Sequence, residues 1–352
     1  MIAAGGTAGH VVPALAVAEA LRARGAEVEF VGGERAEAEL VPAAGYAFHA
    51  LRVSGIDRRN PLRAARAVLR AGLATARARA LLRRLGPDAV LGGGGYVAGP
   101  VGLAARTLRV PLVLAEADSH LGVTNRLLAP VARRVFLAFP IAGRDGAKWV
   151  VSGRPLPPAT GRVDRGAARA RFGIAPDEPC VLVFGGSLGA RRLNDAALDA
   201  FGSAAPGAVL HASGRRDYDE LRRRLDELGS PPHYHLHPYI EPFADALAAA
   251  DLVVARAGGS VMELAAAGLP ALLVPYPHAT ADHQSSNARY VERAGAALVV
   301  PDADLDGPRL AREVGALLAA PQRMAAMAKA ARAVARPDAA ERIAEELLAL
   351  AA

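Results

Sequence analysis

Two glycine-rich turns carry the side chains with which this 352-residue chain could do chemistry. The first, Gly5-Gly6-Thr7-Ala8-Gly9-His10, follows the short apolar run Met1–Ala4 and precedes a helical pattern in which Pro13 marks the expected helix start. Glycines let backbone amides approach a ligand closely, and a helix N-terminus favours an anion. His10 closes this turn, where an imidazole can accept a proton, cap the helix or simply face solvent. The second turn, Gly185-Gly186-Ser187-Leu188-Gly189-Ala190, repeats the strand, turn and helix order after Phe184 and adds a hydroxyl at Ser187. Two such turns, one in each half of the chain, point to a ligand carrying phosphate, although each alone is also an ordinary turn of an α/β domain. The chain has no Gly-x-x-x-x-Gly-Lys-Ser/Thr stretch, which argues against a nucleoside-triphosphatase P-loop.

Two further groups lie in the second half. Arg256-Ala257-Gly258-Gly259-Ser260 follows an apolar run and leads to Glu263, a carboxylate one turn into a helix. It can accept two hydroxyl hydrogen bonds from a ribose while Arg256 and the turn amides face phosphate, or it can act only as a favourable charge at the helix start. His283-Gln284-Ser285-Ser286-Asn287 offers uncharged hydrogen-bonding groups that suit sugar hydroxyls, and equally a solvated helix start. No carboxylate cluster or His/Cys spacing suggests a metal site, so no metal or other cofactor is expected.

These residues need elements to position them. Apolar, β-rich runs alternate with helical stretches, at Glu27–Val31, Ala89–Leu91, Pro111–Ala115 and Arg134–Leu137, then at Cys180–Phe184, Ala208–Ala212, Leu252–Ala255 and Ala271–Val274. Such alternation predicts α/β architecture with parallel sheets covered by helices on both faces. The length exceeds what one core usually supports, and 52% hydrophobic with 22% charged residues suits a chain that buries two. Two doubly wound domains are expected, residues 1–152 and 153–337. The proline-rich stretch from Trp149 to Pro158 serves as the linker, and the final segment 338–352 could cross back to the first domain. Cys180 is the only cysteine, so no intramolecular disulfide forms. No leader-like start and no run of about 18 apolar residues is visible, which points to the cytoplasm with at most peripheral membrane contact.

The charge is uneven. Residues 1–150 hold 20 Lys and Arg against 11 Asp and Glu, a net +9, whereas the remainder holds 22 against 24. Ten arginines fall between residues 52 and 84 against one acid, Asp57, and Arg63, Arg70, Arg77 and Arg84 recur every seven residues along one side of a helix. An anionic partner for the first half follows, whether nucleic acid, phospholipid or phosphorylated substrate.

Taken together, Gly5–His10, Gly94-Gly95-Tyr96-Val97-Ala98-Gly99-Pro100, Gly122-Val123-Thr124-Asn125, Gly185–Ala190, Arg256–Pro270 and His283–Ala288 resemble the MurG family in order over about the first 300 residues. The combination is specific where each turn alone is not. The resemblance implies a GT-B fold, two doubly wound parallel-sheet domains facing across a cleft, with the acceptor in the first and UDP-GlcNAc mainly in the second. It implies His10 as catalytic base, with Gly6, Tyr96 and Thr124 on the acceptor side. Donor contacts would come from Thr7, Gly9, Asn125, Arg154, Ser187, Gly189, Arg256, Glu263, Gln284 and Asn287, with Glu263 on the ribose and Gln284 and Asn287 on the sugar. Departures are Ala8 for a usual glycine, Leu188 for a frequent glutamine, and Gly153-Arg154-Pro155-Leu156-Pro157 where many members have a linker ending in arginine. Whether Arg154 or Arg256 replaces that arginine stays open at this level.

The activity so implied is inverting transfer of GlcNAc from UDP-GlcNAc to the C4 hydroxyl of MurNAc in undecaprenyl-pyrophosphoryl-MurNAc-pentapeptide, converting lipid I to lipid II in peptidoglycan synthesis. The alternative is a UDP-GlcNAc 2-epimerase-like isomerase on a similar scaffold. The transferase reading places the protein peripherally on the cytoplasmic face of the cell membrane. Its partners would be UDP-GlcNAc, lipid I, an anionic membrane surface and other cell-wall synthesis proteins, and not nucleic acid.

Overall fold

The computed structural model describes residues 1–53, 61–186 and 189–351, without the side chains of residues 61–70. The chain begins β1 (Ile2–Ala3), α1 (Ala8–Arg22), β2 (Glu29–Gly32), α2 (Ala36–Ala43), β3 (Ala47–Ala50), α3 (Pro61–Leu85), β4 (Val90–Gly92) and α4 (Ala98–Leu108). It continues through β5 (Leu112–Glu116), α5 (Val123–Leu128), β6 (Arg134–Leu137) and β7 (Trp149–Val151). The second half runs α6 (Arg165–Arg171), β8 (Cys180–Phe184), α7 (Arg191–Phe201), β9 (Ala208–Ala212), α8 (Tyr218–Glu227), β10 (Tyr234–His237) and α9 (Phe243–Ala249). Then follow β11 (Leu252–Ala255), α10 (Val261–Ala267), β12 (Ala271–Leu273), α11 (His283–Arg293), β13 (Ala297–Val299), α12 (Gly307–Leu318), α13 (Pro321–Val334) and α14 (Ala339–Ala351).

Two compact units result, Met1–Pro157 with Arg336–Ala352, and Pro158–Ala335. The first holds a seven-stranded sheet in the order β3-β2-β1-β4-β5-β6-β7, the second a six-stranded sheet in the order β10-β9-β8-β11-β12-β13. Every described pairing is parallel. Strands covered on both faces read as unbroken apolar runs, and Cys180–Phe184, Ala208–Ala212 and Leu252–Ala255 are buried at every residue.

The four strands absent from the apolar-run reading, β3, β7, β10 and β13, are the four sheet edges. An edge strand is covered on fewer sides and needs no continuous apolar run, as the partly exposed Ala47–Ala50 and Trp149–Val151 illustrate. Trp149–Val151, read from the sequence as linker, is therefore a strand of the first sheet. The change of unit comes between Pro157 and Pro158. Helix α1 begins at Ala8, five residues before Pro13, so Pro13 lies inside the helix instead of opening it. Among the described residues no helix is long and apolar enough to cross a membrane.

The last helix, α14, packs on α1 in the first unit and places Ile343, Ala344 and Leu347 in the same core as Val11, Val17 and Leu21. Ile343 is fully buried, whereas Glu345 pairs with Arg24 at 3.3 Å on the exposed side. Ile343→Ala should therefore destabilise the first unit by about 2–5 kcal/mol, read from urea unfolding of the whole chain. Glu345→Ala should cost no more than about 1 kcal/mol.

Candidate active site

In a doubly wound sheet, neighbouring loops diverge where the strand order reverses, and ligands bind there at the carboxyl ends of the strands. In the first unit the reversal lies between β1 and β4. The turn after β1 carries Gly6, Thr7 and His10, and the turn after β4 carries Gly94, Gly95 and Tyr96. These two turns touch. A Cβ on Gly95 would collide with the Gly5 carbonyl oxygen, and one on Gly94 would lie 2.6 Å from Cδ2 of His10, so Gly95 lets the two turns meet and Gly94 leaves room for the imidazole. Thr7 Oγ1 lies 3.4 Å from His10 Nδ1.

A carboxylate locks the turns together from behind. Glu37 is fully buried and accepts from the Gly6 amide at 2.9 Å, the Gly33 amide at 2.9 Å and the Tyr96 hydroxyl at 3.2 Å. The Arg35 guanidinium lies over the Tyr96 ring, 5.3 Å from its centroid. Burial raises the Tyr96 pKa, with the Glu37 charge adding to the effect.

Pro13 explains the position of Arg154. A proline inside a helix has no N–H for the carbonyl four residues earlier, which here is Gly9. Arg154 Nη2 donates to that oxygen at 2.6 Å, while Nη1 donates to the Ala117 carbonyl at 3.0 Å. Arg154, assigned to the donor by resemblance, is buried in the first unit and braces the turn that holds His10.

At the end of β5, Glu116 accepts from the Gly122 amide at 2.8 Å, Asn125 Nδ2 at 3.0 Å and the Asp118 amide at 3.3 Å. Burial nevertheless raises its pKa above the ordinary carboxylate value. Asn125 Nδ2 also donates to the Ala115 carbonyl, and its Oδ1 is buried without a hydrogen-bond partner. Half-buried Thr124 lies beside Gly99 of α4.

The second unit repeats the plan with the reversal between β8 and β11. The turn after β8 includes Gly189; Ser187 and Leu188 lie outside the described residues. The turn after β11 is held by Asn287, whose Nδ2 donates to the Ala257 carbonyl at 3.1 Å while its buried Oδ1 has no partner. Gln284 stands beside Gly258 and accepts from the Tyr276 amide at 2.9 Å. Glu263 is half-buried in the first turn of α10.

Arg256 does not present a free charge to this turn. It is 7% exposed, pairs with Asp302 at 2.5 Å and donates to the Val274 carbonyl at 3.1 Å. A buried guanidinium requires such compensation, so its observed work is to tie the end of β11 to the loop after β13. Tyr239, which follows β10, is 48% exposed with the Arg215 guanidinium 5.9 Å from its ring centroid. Burial first, then the charges of Glu241 and Glu263, raise its pKa, which puts Tyr239 within electrostatic reach of Glu263.

Two family models match this chain, the glycosyltransferase family 28 N-terminal domain over residues 1–137 and its C-terminal domain over residues 180–343. The UDP-N-acetylglucosamine--N-acetylmuramyl-(pentapeptide) pyrophosphoryl-undecaprenol N-acetylglucosamine transferase of Moorella thermoacetica is 43% identical, over 99% of this chain and 98% of its own. The transferase of the same name from Methylococcus capsulatus is 46% identical over 99% and 97%. A crystal structure of Acinetobacter baumannii MurG matches with a TM-score of 0.79 at 32% identity, over 99% of this chain and 98% of that one.

The chain belongs to the MurG family. Its two units have the GT-B type of fold. A UDP-GlcNAc 2-epimerase from Neisseria meningitidis, 14% identical with a TM-score of 0.70, shares the fold alone. Within this MurG chain, sequence reasoning missed Glu37, Glu116, Asp302 and Tyr239. Glu37 is one of two acids in the first turn of α2, beside Glu39, and only its tertiary partners set it apart. Tyr239 could have been found as an aromatic residue just beyond a strand end, had edge strand β10 been recognised.

Burial pushes the Glu37 pKa up, and the bonds from Gly6, its own amide, Gly33 and Tyr96 outweigh that, leaving it below the ordinary 4.5. Its contribution to stability is therefore complete above about pH 4.5 and is lost as pH falls through the lower folded-state value. Glu37→Gln, which turns an amide group toward an N–H donor, should cost about 1–3 kcal/mol at neutral pH. That difference should shrink in acid unfolding curves below pH 4.5.

Proposed function

We propose that this protein transfers GlcNAc from UDP-GlcNAc to the C4 hydroxyl of the MurNAc group of lipid I, giving lipid II and UDP. The observation that carries this reading is the 43–46% identity, over essentially the whole chain, to transferases named for that reaction. The acceptor belongs with the first unit and the donor with the second.

The acceptor hydroxyl oxygen attacks the anomeric carbon, the bond from that carbon to the UDP oxygen breaks, and the configuration inverts. The hydroxyl proton passes to the His10 imidazole, which Gly94, Thr7 and the Arg154-braced Gly9 keep at the first turn of α1. Tyr96 and Thr124 line the acceptor side. The leaving diphosphate is met by amides of the Gly185–Ala190 turn and by the N-terminus of α7, an 11-residue helix. Ser187 adds a hydroxyl there, and Glu263 takes the ribose hydroxyls. Gln284 contacts the sugar from the first turn of α11. Tyr239 offers a ring face to the uracil, since an exposed aromatic stacks on a base at little entropic cost. Arg154 and Arg256 act behind the turns and do not themselves bind the diphosphate.

The same reading sets the protein on an anionic leaflet. Exposed Leu73, Leu103 and Leu127 project from α3, α4 and α5, helices that pack in series, and exposed Arg77, Arg106 and Arg126 share them. An apolar surface accompanied by basic side chains suits an interfacial lipid site. The side chains of Arg63, Arg66 and Arg70 lie outside the described residues.

Acceptor-dependent release of UDP from UDP-GlcNAc tests the function, and its absence with lipid I present would overturn it in favour of epimerisation. His10→Ala should lower turnover by roughly 10²–10⁴-fold with UDP affinity nearly unchanged. Turnover within a few-fold of wild type at saturating substrates would remove His10 as the base. For the membrane face, changing Leu73, Leu103 and Leu127 together to Gln should weaken sedimentation with anionic phospholipid vesicles by about tenfold or more. Equal sedimentation would exclude that surface.

A further inference from the structure

Behind Gly189 and the start of α7 lies a run of buried polar groups to which the reaction gives no direct part. Tyr234 Oη lies 2.8 Å from His211 Nδ1, and His211 Nε2 lies 3.1 Å from Asn194 Oδ1. Asn194 Nδ2 bonds the Ser213 carbonyl at 2.9 Å and Asp217 Oδ2 at 3.1 Å. Asn194, His211, Ser213 and Asp217 are each at most 1% exposed.

The direction of every bond in this run is fixed by chemistry. Asn194 faces two acceptors, a carbonyl and a carboxylate, so its NH₂ must point to them and its oxygen to His211. His211 Nε2 therefore carries the proton. Full burial pushes the His211 pKa down to about 3, so the ring is neutral and Nδ1 is an acceptor. The Tyr234 hydroxyl then donates to it. The reverse amide orientation would set the Asn194 oxygen against a carbonyl and a carboxylate, two acceptors with no proton between them.

The run ends under the turn. Gly189 has φ +77°, and a Cβ there would collide with the Ser213 carbonyl oxygen, the oxygen that Asn194 holds. Asp217 in turn accepts Arg191 Nη2 at 2.8 Å, and Arg191 is the first residue of α7. One amide thus fixes the floor under Gly189 and, through Asp217, the start of α7.

We propose that Asn194, oriented by His211 and Tyr234, is a positioning residue that sets Gly189 and the α7 N-terminus, at the end of the turn after β8, for a nucleoside diphosphate. This rests on reading that turn as the diphosphate site. If the turn is displaced, affinity for the diphosphate falls while contacts to uridine, made elsewhere in the unit, persist.

The test compares UDP with uridine by titration calorimetry on the whole protein. Asn194→Ala should weaken UDP by on the order of 10–100-fold and uridine by less than about threefold. The KM for UDP-GlcNAc should rise in parallel, with the KM for the lipid acceptor unchanged. Tyr234→Phe, which leaves Nδ1 without its donor while keeping the ring, should show the same selective loss at smaller size. Should Asn194→Ala fail to fold, the Tyr234→Phe result decides. Equal loss of UDP and uridine, or wild-type UDP affinity in both variants, would overturn the positioning role. Wild-type protein that binds UDP no better than uridine would instead overturn the diphosphate reading itself.

Discussion

A parallel sheet puts every strand's carboxyl end on one edge, and a reversal in strand order forces the two loops beside it apart. Both sheets carry this reversal, between β1 and β4 and between β8 and β11. The glycine turns, His10, Tyr96 and Glu263 all sit on or just beyond the loops that follow those four strands, and Asn287 reaches the last of them from α11. Their sequence separations, about 90 residues from Gly5 to Gly94 and about 70 from Gly185 to Gly258, are those needed to wind one half of each sheet and return.

A turn that offers its amides to a ligand cannot also satisfy them internally, so something behind it must hold its shape. In the first unit this falls to charged groups. Glu37 takes the Gly6 and Gly33 amides, and Arg154 takes the Gly9 carbonyl that Pro13 leaves open. Each charge meets several hydrogen-bond partners, without which burial would be costly. In the second unit the turn after β8 rests on the neutral Asn194 and His211, and the turn after β11 rests on Asn287 and the Arg256–Asp302 pair.

What the sequence revealed follows the same physics. Interior strands were legible because burial on both faces demands unbroken apolar residues, and Cys180–Phe184, Ala208–Ala212 and Leu252–Ala255 agree residue for residue with the apolar runs. The four edges were not, because Tyr234–His237 and its counterparts alternate or stay half-exposed. The turns were legible from glycine spacing, and family resemblance supplied roles for His10, Gln284 and Asn287. The bracing residues were hidden. Little that is local distinguishes Glu37 from Glu39, or Asn194 from any polar residue in an amphipathic helix, since two of the three partners of Glu37 lie 31 and 59 residues away and those of Asn194 lie 17 to 23 residues away.

Arg154 illustrates how a departure from a family pattern can be compensated through the backbone. Family resemblance suggested an arginine for the donor diphosphate and left open whether Arg154 or Arg256 supplied it. Both are buried, and the bonds described for them go to carbonyls and, for Arg256, to Asp302. The proposed reaction assigns the diphosphate charge to aligned amides and the α7 dipole, a source that depends on geometry and not on a mobile side chain. Amides stabilise a developing negative charge only if they point at it before the reaction begins. Rigid bracing behind the turns is therefore the physical condition under which a chain without a free arginine at this position could still expel UDP.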